Sequence, residues 1–183
     1  MMYNRLLTTI LLIGLHLAAI SQVHLTRNGT IRFFSETPLE NIEAVNRQVM
    51  SALNTETGEF VFRLPMRSFA FDKALMQEHF NDNFVESHTY PNAMFQGQIL
   101  DIESIDFSST GEFNVVVQGE LTIKDVTKTI RETGVLNIHE DHIRAQSVFI
   151  VEPGAYNIRI PTRYARNIAG EIEVSVDVVL RPQ

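Results

Sequence analysis

Few side chains in this sequence have the types and spacings that carry catalysis. The chain has no cysteine and no Gly-x-Ser-x-Gly motif, so nucleophilic catalysis finds little support. Glu171 and Glu173 alternate onto an outward strand face, which favours solvation over acid–base chemistry. Glu132 shares a strand face with Lys128, and this is the one pair of ionisable groups that we expect inside the fold. Glu132 would either hydrogen-bond a ligand head group or pair with Lys128.

The six histidines do not form a recognisable metal site. His139 and His142 flank two acidic residues in the sequence HEDH, but this segment sits at an expected hairpin tip. His79 and His88 are nine residues apart, which matches no known ligand spacing. Because a transition metal needs three or four ligands on a fixed scaffold, the sequence predicts no metal site. We also expect no cofactor and no enzymatic activity.

The beginning of the chain has the features of an export signal. Arg5 precedes the apolar run Leu6–Ile20, and Ala19–Ser21 offers small residues at the −3 and −1 positions of a cleavage site. The apolar run is shorter than the ~20 residues of a membrane-spanning helix, which argues against a stable membrane anchor. We therefore predict a signal peptide over 1–21 and a mature domain over 22–183, located in the periplasm or secreted.

Composition narrows the class of protein further. The formal net charge is −7 and no basic run occurs, which argues against nucleic acid and anionic membrane surfaces as partners. Without cysteine the chain has no disulfides and no attachment point for a lipoprotein anchor. It must therefore depend on a sizeable core, which a domain of about 160 residues can build. Export without cysteine indicates a bacterial envelope, and a homodimer is compatible with these features.

Alternation of apolar and polar residues dominates the rest of the chain and predicts β-strands. Asn28-Gly29 predicts a tight hairpin between two strands, and the sequence TETG predicts another just before Glu59. The segment 38–54 fits either a helix or a strand, and we favour the strand. The change of phase between Ile99 and Leu100 predicts a β-bulge.

Two segments have helical rather than strand patterns. FDKALMQEHFNDNF offers Asp72 as an N-cap and an apolar stripe of Met76, Phe80 and Phe84 at four-residue spacing. PTRYARNIAG begins with proline and ends with glycine, as short helices do. Eight or nine antiparallel strands with one amphipathic helix and this short second helix predict a single all-β domain, either a barrel or a sandwich.

The stripe of Met76, Phe80 and Phe84 allows two interpretations. Twelve phenylalanines, six methionines and no tryptophan make an interior with few polar groups, which suits a filled core or a long apolar ligand. Small barrels of about eight strands can be filled by side chains or can hold one ligand. The pattern alone favours the filled core.

Three segments carry motifs that occur together in one known family. They are FVFRLPMRSF at 60–69, EHFNDNFVESHTYPNAMFQGQI at 78–99 and GELTIKDVTKTI at 119–130. The last resembles the G-x-L-T-I-K-G-V-T-K hairpin of YceI-like proteins, an exported lipid- and polyisoprenoid-binding family. The first two resemble the strand before that family's helix and the helix end with the next strand. The likeness runs from about Thr30 to Arg181. Asp125 replaces a glycine in the turn, and aspartate tolerates the left-handed conformation, so the hairpin should persist.

This resemblance implies a lipocalin-like antiparallel barrel around an elongated apolar tunnel, with the amphipathic helix near its mouth. It also implies a non-enzymatic carrier or store for an apolar, lipid-like amphiphile, such as a polyisoprenoid or a fatty acyl compound. Part of the helical stripe would then face the ligand. From strand phase, the expected ligand-contacting residues are Phe60, Phe62, Leu64, Met76, Phe80, Phe84, Phe95, Val115, Val117 and Phe149.

Two other functions remain as alternatives. One is a structural or stress-response interaction protein with a barrel that side chains fill and no ligand. The other is barrel-enclosed chemistry, for which Glu132 and Lys128 are the candidate pair. An internal cavity would count against the first, and the position of Lys128 relative to Glu132 bears on the second.

Overall fold

The computed structural model describes residues 22–183, and the predicted signal peptide over 1–21 lies outside them. Within that range nine strands and one α-helix follow in the order β1 (Val23–Glu36), β2 (Asn41–Asn54), β3 (Glu59–Pro65), β4 (Phe69–Phe71), α1 (Ala74–His79), β5 (Asn92–Ile99), β6 (Gly111–Ile123), β7 (Val126–Ile138), β8 (Ile143–Val151) and β9 (Ile172–Pro182). A π-helical turn, Phe80–Phe84, extends α1.

Eight of these strands close into an antiparallel barrel. Their order around the barrel is β1-β9-β8-β7-β6-β5-β3-β2, and β1 pairs with β2 to complete the circle. The short strand β4 pairs with one end of β2. In a closed sheet one side chain in two points inward, as the alternating sequence requires, and Val49, Ser51 and Leu53 of β2 are buried in this way. The predicted all-β barrel is confirmed, and so is the choice of a strand for the segment that became β2.

The predicted hairpin at Asn28-Gly29 is wrong. β1 runs straight through these residues, with irregular register against β2 on both sides of Gly29. Both halves of β1 pair with β2, so long-range strand pairing overrides the local turn preference. Glycine is still required here, because a Cβ at Gly29 would lie 2.5 Å from Cγ1 of Val178.

The hairpin between β6 and β7 is confirmed, but its left-handed residue differs from the expectation. Lys124 has φ 54°, whereas Asp125 has no positive φ. The two strands pair without a break from Ile123 and Val126 at the turn to Gly111 and Ile138 at the far end. The aspartate that replaces the family's glycine therefore imposes no left-handed strain.

Two smaller expectations also need correction. The change of phase after Ile99 is the end of β5, followed by Asp101 in the left-handed region, and not a β-bulge. The N-cap of α1 is Lys73 rather than Asp72, and no side chain caps it.

The predicted second helix is only a 3-10 turn, Thr162–Tyr164. The backbone beyond this turn is held by a tertiary contact, because the N–H of Ala169 donates to Oγ of Ser35 at 2.9 Å. A longer helix would need that backbone group for its own hydrogen bonding.

The two ends of the barrel are packed differently. At one end, large buried aliphatic side chains meet in the centre: Leu53, Ile99, Ile105, Leu136, Ile138, Ile143 and Leu180. At the other end, α1 and the segment 152–171 lie across the barrel. We call these the closed end and the helix end. The barrel has an internal cavity, and it lies towards the helix end.

Candidate ligand cavity

The barrel encloses a cavity of about 660 Å³. Its floor is made by Phe60, Val115, Leu136 and Ala145, which also belong to the solid core of the closed end. From this floor the cavity runs to the helix end. Its lining there includes exposed residues, among them Lys73, Leu75 and Arg163, so the mouth lies at the helix end.

All ten residues that the sequence predicted as ligand contacts lie in the wall of this cavity: Phe60, Phe62, Leu64, Met76, Phe80, Phe84, Phe95, Val115, Val117 and Phe149. Seven come from barrel strands, where inward phase was enough to place them. Met76, Phe80 and Phe84 come from α1 and the π-helical turn at the mouth. Their role in binding a ligand stays a prediction.

Phe80 anchors the helix to the barrel as well as lining the cavity. Its ring centroid lies 5.5 Å from that of Phe33, 5.5 Å from that of Phe69 and 5.1 Å from that of Phe71. Aromatic rings at these separations in tilted or edge-on geometry attract one another. Phe80 therefore packs against the aromatic core and also lines the cavity.

Among the described residues, Glu132 is the one carboxylate on the wall below the mouth. It is half-buried, and desolvation by burial raises its pKa above the ordinary value of 4.5. Burial also raises the pKa of Tyr156, and the negative charge of Glu132 adds to that shift. Glu132 can therefore hold a proton more readily than a surface carboxyl and, when protonated, donate a hydrogen bond into the cavity.

Lys128 does not join Glu132. Its side chain is exposed, outside the cavity wall, and its Nζ lies 5.8 Å from the ring centroid of Tyr156. No ion pair joins Lys128 to Glu132 among the contacts of residues 22–183. The pair considered for barrel chemistry is not assembled.

Part of the wall near Glu132 lacks ordinary strand pairing. The β7–β8 ladder spans only Val135–Ile138 and Ile143–Gln146, although both strands continue beyond it. Beyond the ladder, Oγ of Ser147 donates to the carbonyl of Thr133 at 2.6 Å. Three polar residues of this region line the cavity: Thr133, Gln146 and Ser147.

An ion pair between a buried lysine and a half-exposed glutamate fastens the loops at the helix end. Nζ of Lys124 lies 2.7 Å from Oε1 of Glu86 and 3.3 Å from the carbonyl oxygen of Asn157. The Lys124 side chain is only 8% exposed. All three residues have positive φ, so each loop makes a sharp local turn at this junction. Lys124 thereby ties the β6–β7 hairpin to the end of the helix and to the β8–β9 connection.

The sequence pattern predicted neither the polar residues of the mouth nor this lysine junction. Glu40 and Lys73 pair across 33 positions, and Glu40 and Asn167 across 127. No local pattern links residues so far apart in the chain. They become neighbours only when the barrel closes and its loops converge.

Within the described residues, no cluster of three or more histidine, aspartate, glutamate or cysteine side chains is arranged to hold a metal ion. His139 and His142 do stack at the β7–β8 turn, with ring centroids 4.3 Å apart. A neighbouring carboxylate, Asp141, is occupied by His142 and Arg181, and these hydrogen bonds lower its pKa to about 2. Over the same residues, 22–183, no helix has the length and hydrophobicity of a membrane-spanning segment.

A family model described as the YceI-like domain matches residues 19–180. No curated protein sequence matches the chain. Among solved structures, a polyisoprenoid binding domain from Saccharophagus degradans is similar, with a TM-score of 0.77 and 13% identity over 89% of this chain and 99% of that one.

Two further solved structures have the same fold. BcnA from Burkholderia cenocepacia has a TM-score of 0.65 and 15% identity, over 82% of this chain and 95% of BcnA. The YCEI protein from Campylobacter jejuni has a TM-score of 0.57 and 12% identity, over 74% of this chain and 81% of that protein. At these identities the likeness establishes the shared fold.

Proposed function

The chain belongs to the YceI-like family, and from this membership and the apolar cavity we propose that it binds one elongated amphiphile and carries or stores it. The ligand would be a polyisoprenoid or a fatty acyl compound. The proposed location is the bacterial cell envelope, and the export features of the sequence support it. The role is proposed as non-enzymatic, because Lys128 stands apart from Glu132.

The observation that supports this proposal most directly is the cavity. About 660 Å³ of space lies between a floor of Phe60, Val115 and Leu136 and a mouth at the helix. Its wall is aliphatic and aromatic except at the mouth and around Glu132. Moving an apolar chain from water into such a space is favourable by about 25 cal/mol per Å² of apolar surface buried, or roughly 0.8 kcal/mol per methylene. Binding strength should therefore grow with chain length.

The alternative, a barrel filled by side chains, has less support. A filled barrel would place side chains across the space above Leu136 and Ala145, where the structure has a cavity. Exposed apolar residues do occur on the outer face of β8, where Val148 is 60% and Ile150 52% exposed. Two exposed side chains on one strand are ordinary for a soluble domain, and they do not favour a partner-binding role over ligand binding.

The direct test is native mass spectrometry of the protein purified from its own host envelope, followed by extraction of bound lipid. We expect one amphiphile per chain. In parallel, the purified and delipidated protein should bind a fluorescent apolar probe, and fatty alcohols of increasing length should displace it. Absence of any co-purifying lipid together with failure to bind the probe would show that the proposed function is wrong.

A further inference from the structure

The mouth of the cavity has its own charge pattern, distinct from the apolar wall. Ionisable and polar residues from three parts of the chain line it: Ser35, Glu40, Lys73, His79, Arg163, Tyr164 and Asn167. An amphiphile that fills the cavity with its apolar chain must leave its head group among these residues, because the opposite end is closed by packed aliphatic side chains. Their charges therefore select the head group.

Most of this charge is already neutralised within the protein. Nζ of Lys73 lies 2.6 Å from Oε1 of Glu40. Nδ2 of Asn167 donates to Oε2 of the same carboxylate at 3.3 Å. Glu40 thus uses both oxygens on protein partners, and Lys73 has its counter-charge.

Arg163 is the cation left over at the mouth. Among the described residues it forms no ion pair. Its guanidinium carbon lies 4.7 Å from the ring centroid of Tyr164. Arginine can stack on an aromatic ring and still present planar N–H groups to an anion.

The tyrosine ring on which Arg163 stacks is itself part of the mouth. The Tyr164 ring centroid lies 5.8 Å from that of His79 and 6.1 Å from that of Phe84. Phe84 and His79 belong to the helix that covers the cavity. The stacked arginine is therefore held next to the point where a ligand's head group would emerge.

We propose that the amphiphile carries an anionic head group, a carboxylate or a phosphate, which pairs with the Arg163 guanidinium at the mouth while the apolar chain extends towards Ala145. This inference rests on the proposed function and specifies its ligand class. Carboxylate and phosphate share the anionic oxygens that arginine recognises. The opposite polarity, a cationic head, would meet an unpaired cation and is disfavoured.

Three probes with the same hexadecyl chain test the inference: heptadecanoate, cetyl phosphate and the uncharged cetyl alcohol. Their dissociation constants are measured at low salt by displacement of the fluorescent apolar probe. Wild-type protein should bind at least one of the two anions about fivefold more tightly than the alcohol, which is the upper range for an exposed ion pair. The preference should shrink as salt is added. The anion that binds more tightly than the alcohol by the larger factor identifies the head group as carboxylate or phosphate.

Arg163→Gln is the discriminating variant, and Arg166→Gln is its matched control. Arg166 is exposed three positions away and outside the cavity lining. Arg163→Gln should lose the anion preference and leave the alcohol's affinity unchanged, whereas Arg166→Gln should keep both. Equal affinity of wild-type protein for all three probes, or equal weakening of all three by Arg163→Gln, would overturn the inference alone. If none of the probes binds, the cavity takes no amphiphile and the proposed function falls with it.

Discussion

Replacing Ala145 with leucine should shorten the longest chain that the cavity accepts. Ala145 is buried in β8 at the cavity floor, with Leu136 and Val178 as its neighbours across the sheet. Both neighbours are fully buried. A larger side chain at this position cannot displace them and must project into the empty space above the floor.

The expected magnitude follows from counting carbons. Leucine has three more carbons than alanine, so the variant should exclude about three methylenes of a long ligand. At roughly 0.8 kcal/mol per methylene this is a loss of about 2.4 kcal/mol, or about 60-fold in dissociation constant. A ligand too short to reach the floor should lose nothing.

The assay is a series of straight-chain fatty alcohols that displace a fluorescent apolar probe. In wild-type protein each added methylene should tighten binding about fourfold, until the chain fills the cavity and affinity levels off. In Ala145→Leu the slope should be the same and the plateau should come about three methylenes earlier. Because the change fills space, the thermal midpoint should not fall, which separates this effect from misfolding.

Ala70→Leu is the matched control, since Ala70 is exposed on β4 and outside the cavity lining. It should leave the whole series unchanged. A plateau at the wild-type length in Ala145→Leu would refute the position of the floor. A uniform loss across all chain lengths would refute the orientation of the ligand, because a short chain would then be touching Ala145.

Three more substitutions test other parts of the structure. Gly119→Ala puts a Cβ 2.4 Å from β5 backbone atoms, so urea unfolding should show a loss of about 2 kcal/mol. Gly170→Ala should show none, because a Cβ there would have no atom of 22–183 within 4 Å apart from its chain neighbours. Lys124→Met leaves a half-exposed carboxylate unpaired and should lower the free energy of unfolding by about 1–2 kcal/mol; an unchanged urea midpoint would contradict the junction. Because burial raises the folded-state pKa of Glu132 above 4.5, the folded carboxyl binds its proton more tightly, and the contribution of Glu132 to stability falls as pH rises from 4.5 through that pKa. Glu132→Gln should therefore melt above wild type near pH 7 and level with it near pH 4, whereas a pH-independent difference, or the same crossover in the exposed control Glu120→Gln, would contradict this.

Strand phase was the part of the fold that the sequence predicted best. Inward and outward residues alternate strictly in a closed sheet, so the inward set follows once a strand is recognised. The errors came where local preference competed with distant pairing. Asn28-Gly29 favours a turn in isolation, but it lies within one strand whose two halves both pair with β2. The chain after Tyr164 favours a helix, but the Ser35 hydroxyl takes one of its backbone N–H groups.

The candidate site likewise has one part that the sequence predicted and one part that it did not. The apolar wall could be predicted because each residue follows from the phase of its own strand or helix. The mouth could not, since Arg163, Lys73 and Glu40 come from separate loops and have no common period. Their meeting depends on how the segment 152–171 crosses the barrel end. The sequence pattern therefore predicted the apolar wall that would face a ligand's chain, and not the mouth that would face its head group.

The hairpin motif that suggested the family also has a physical part in keeping the barrel hollow. Gly119 in β6 lies opposite Gly97 in β5. A Cβ at either position would come within 2.8 Å of Cζ of Phe95, so the tip of the Phe95 ring occupies the space beside the two glycines. With side chains there, the ring would be pushed from the wall towards the centre, into the space that the proposed ligand needs. Gly119 of the hairpin motif and Gly97 of β5 thus act on the cavity through two missing side chains, and Gly119→Ala should weaken binding of long apolar probes as well as the fold.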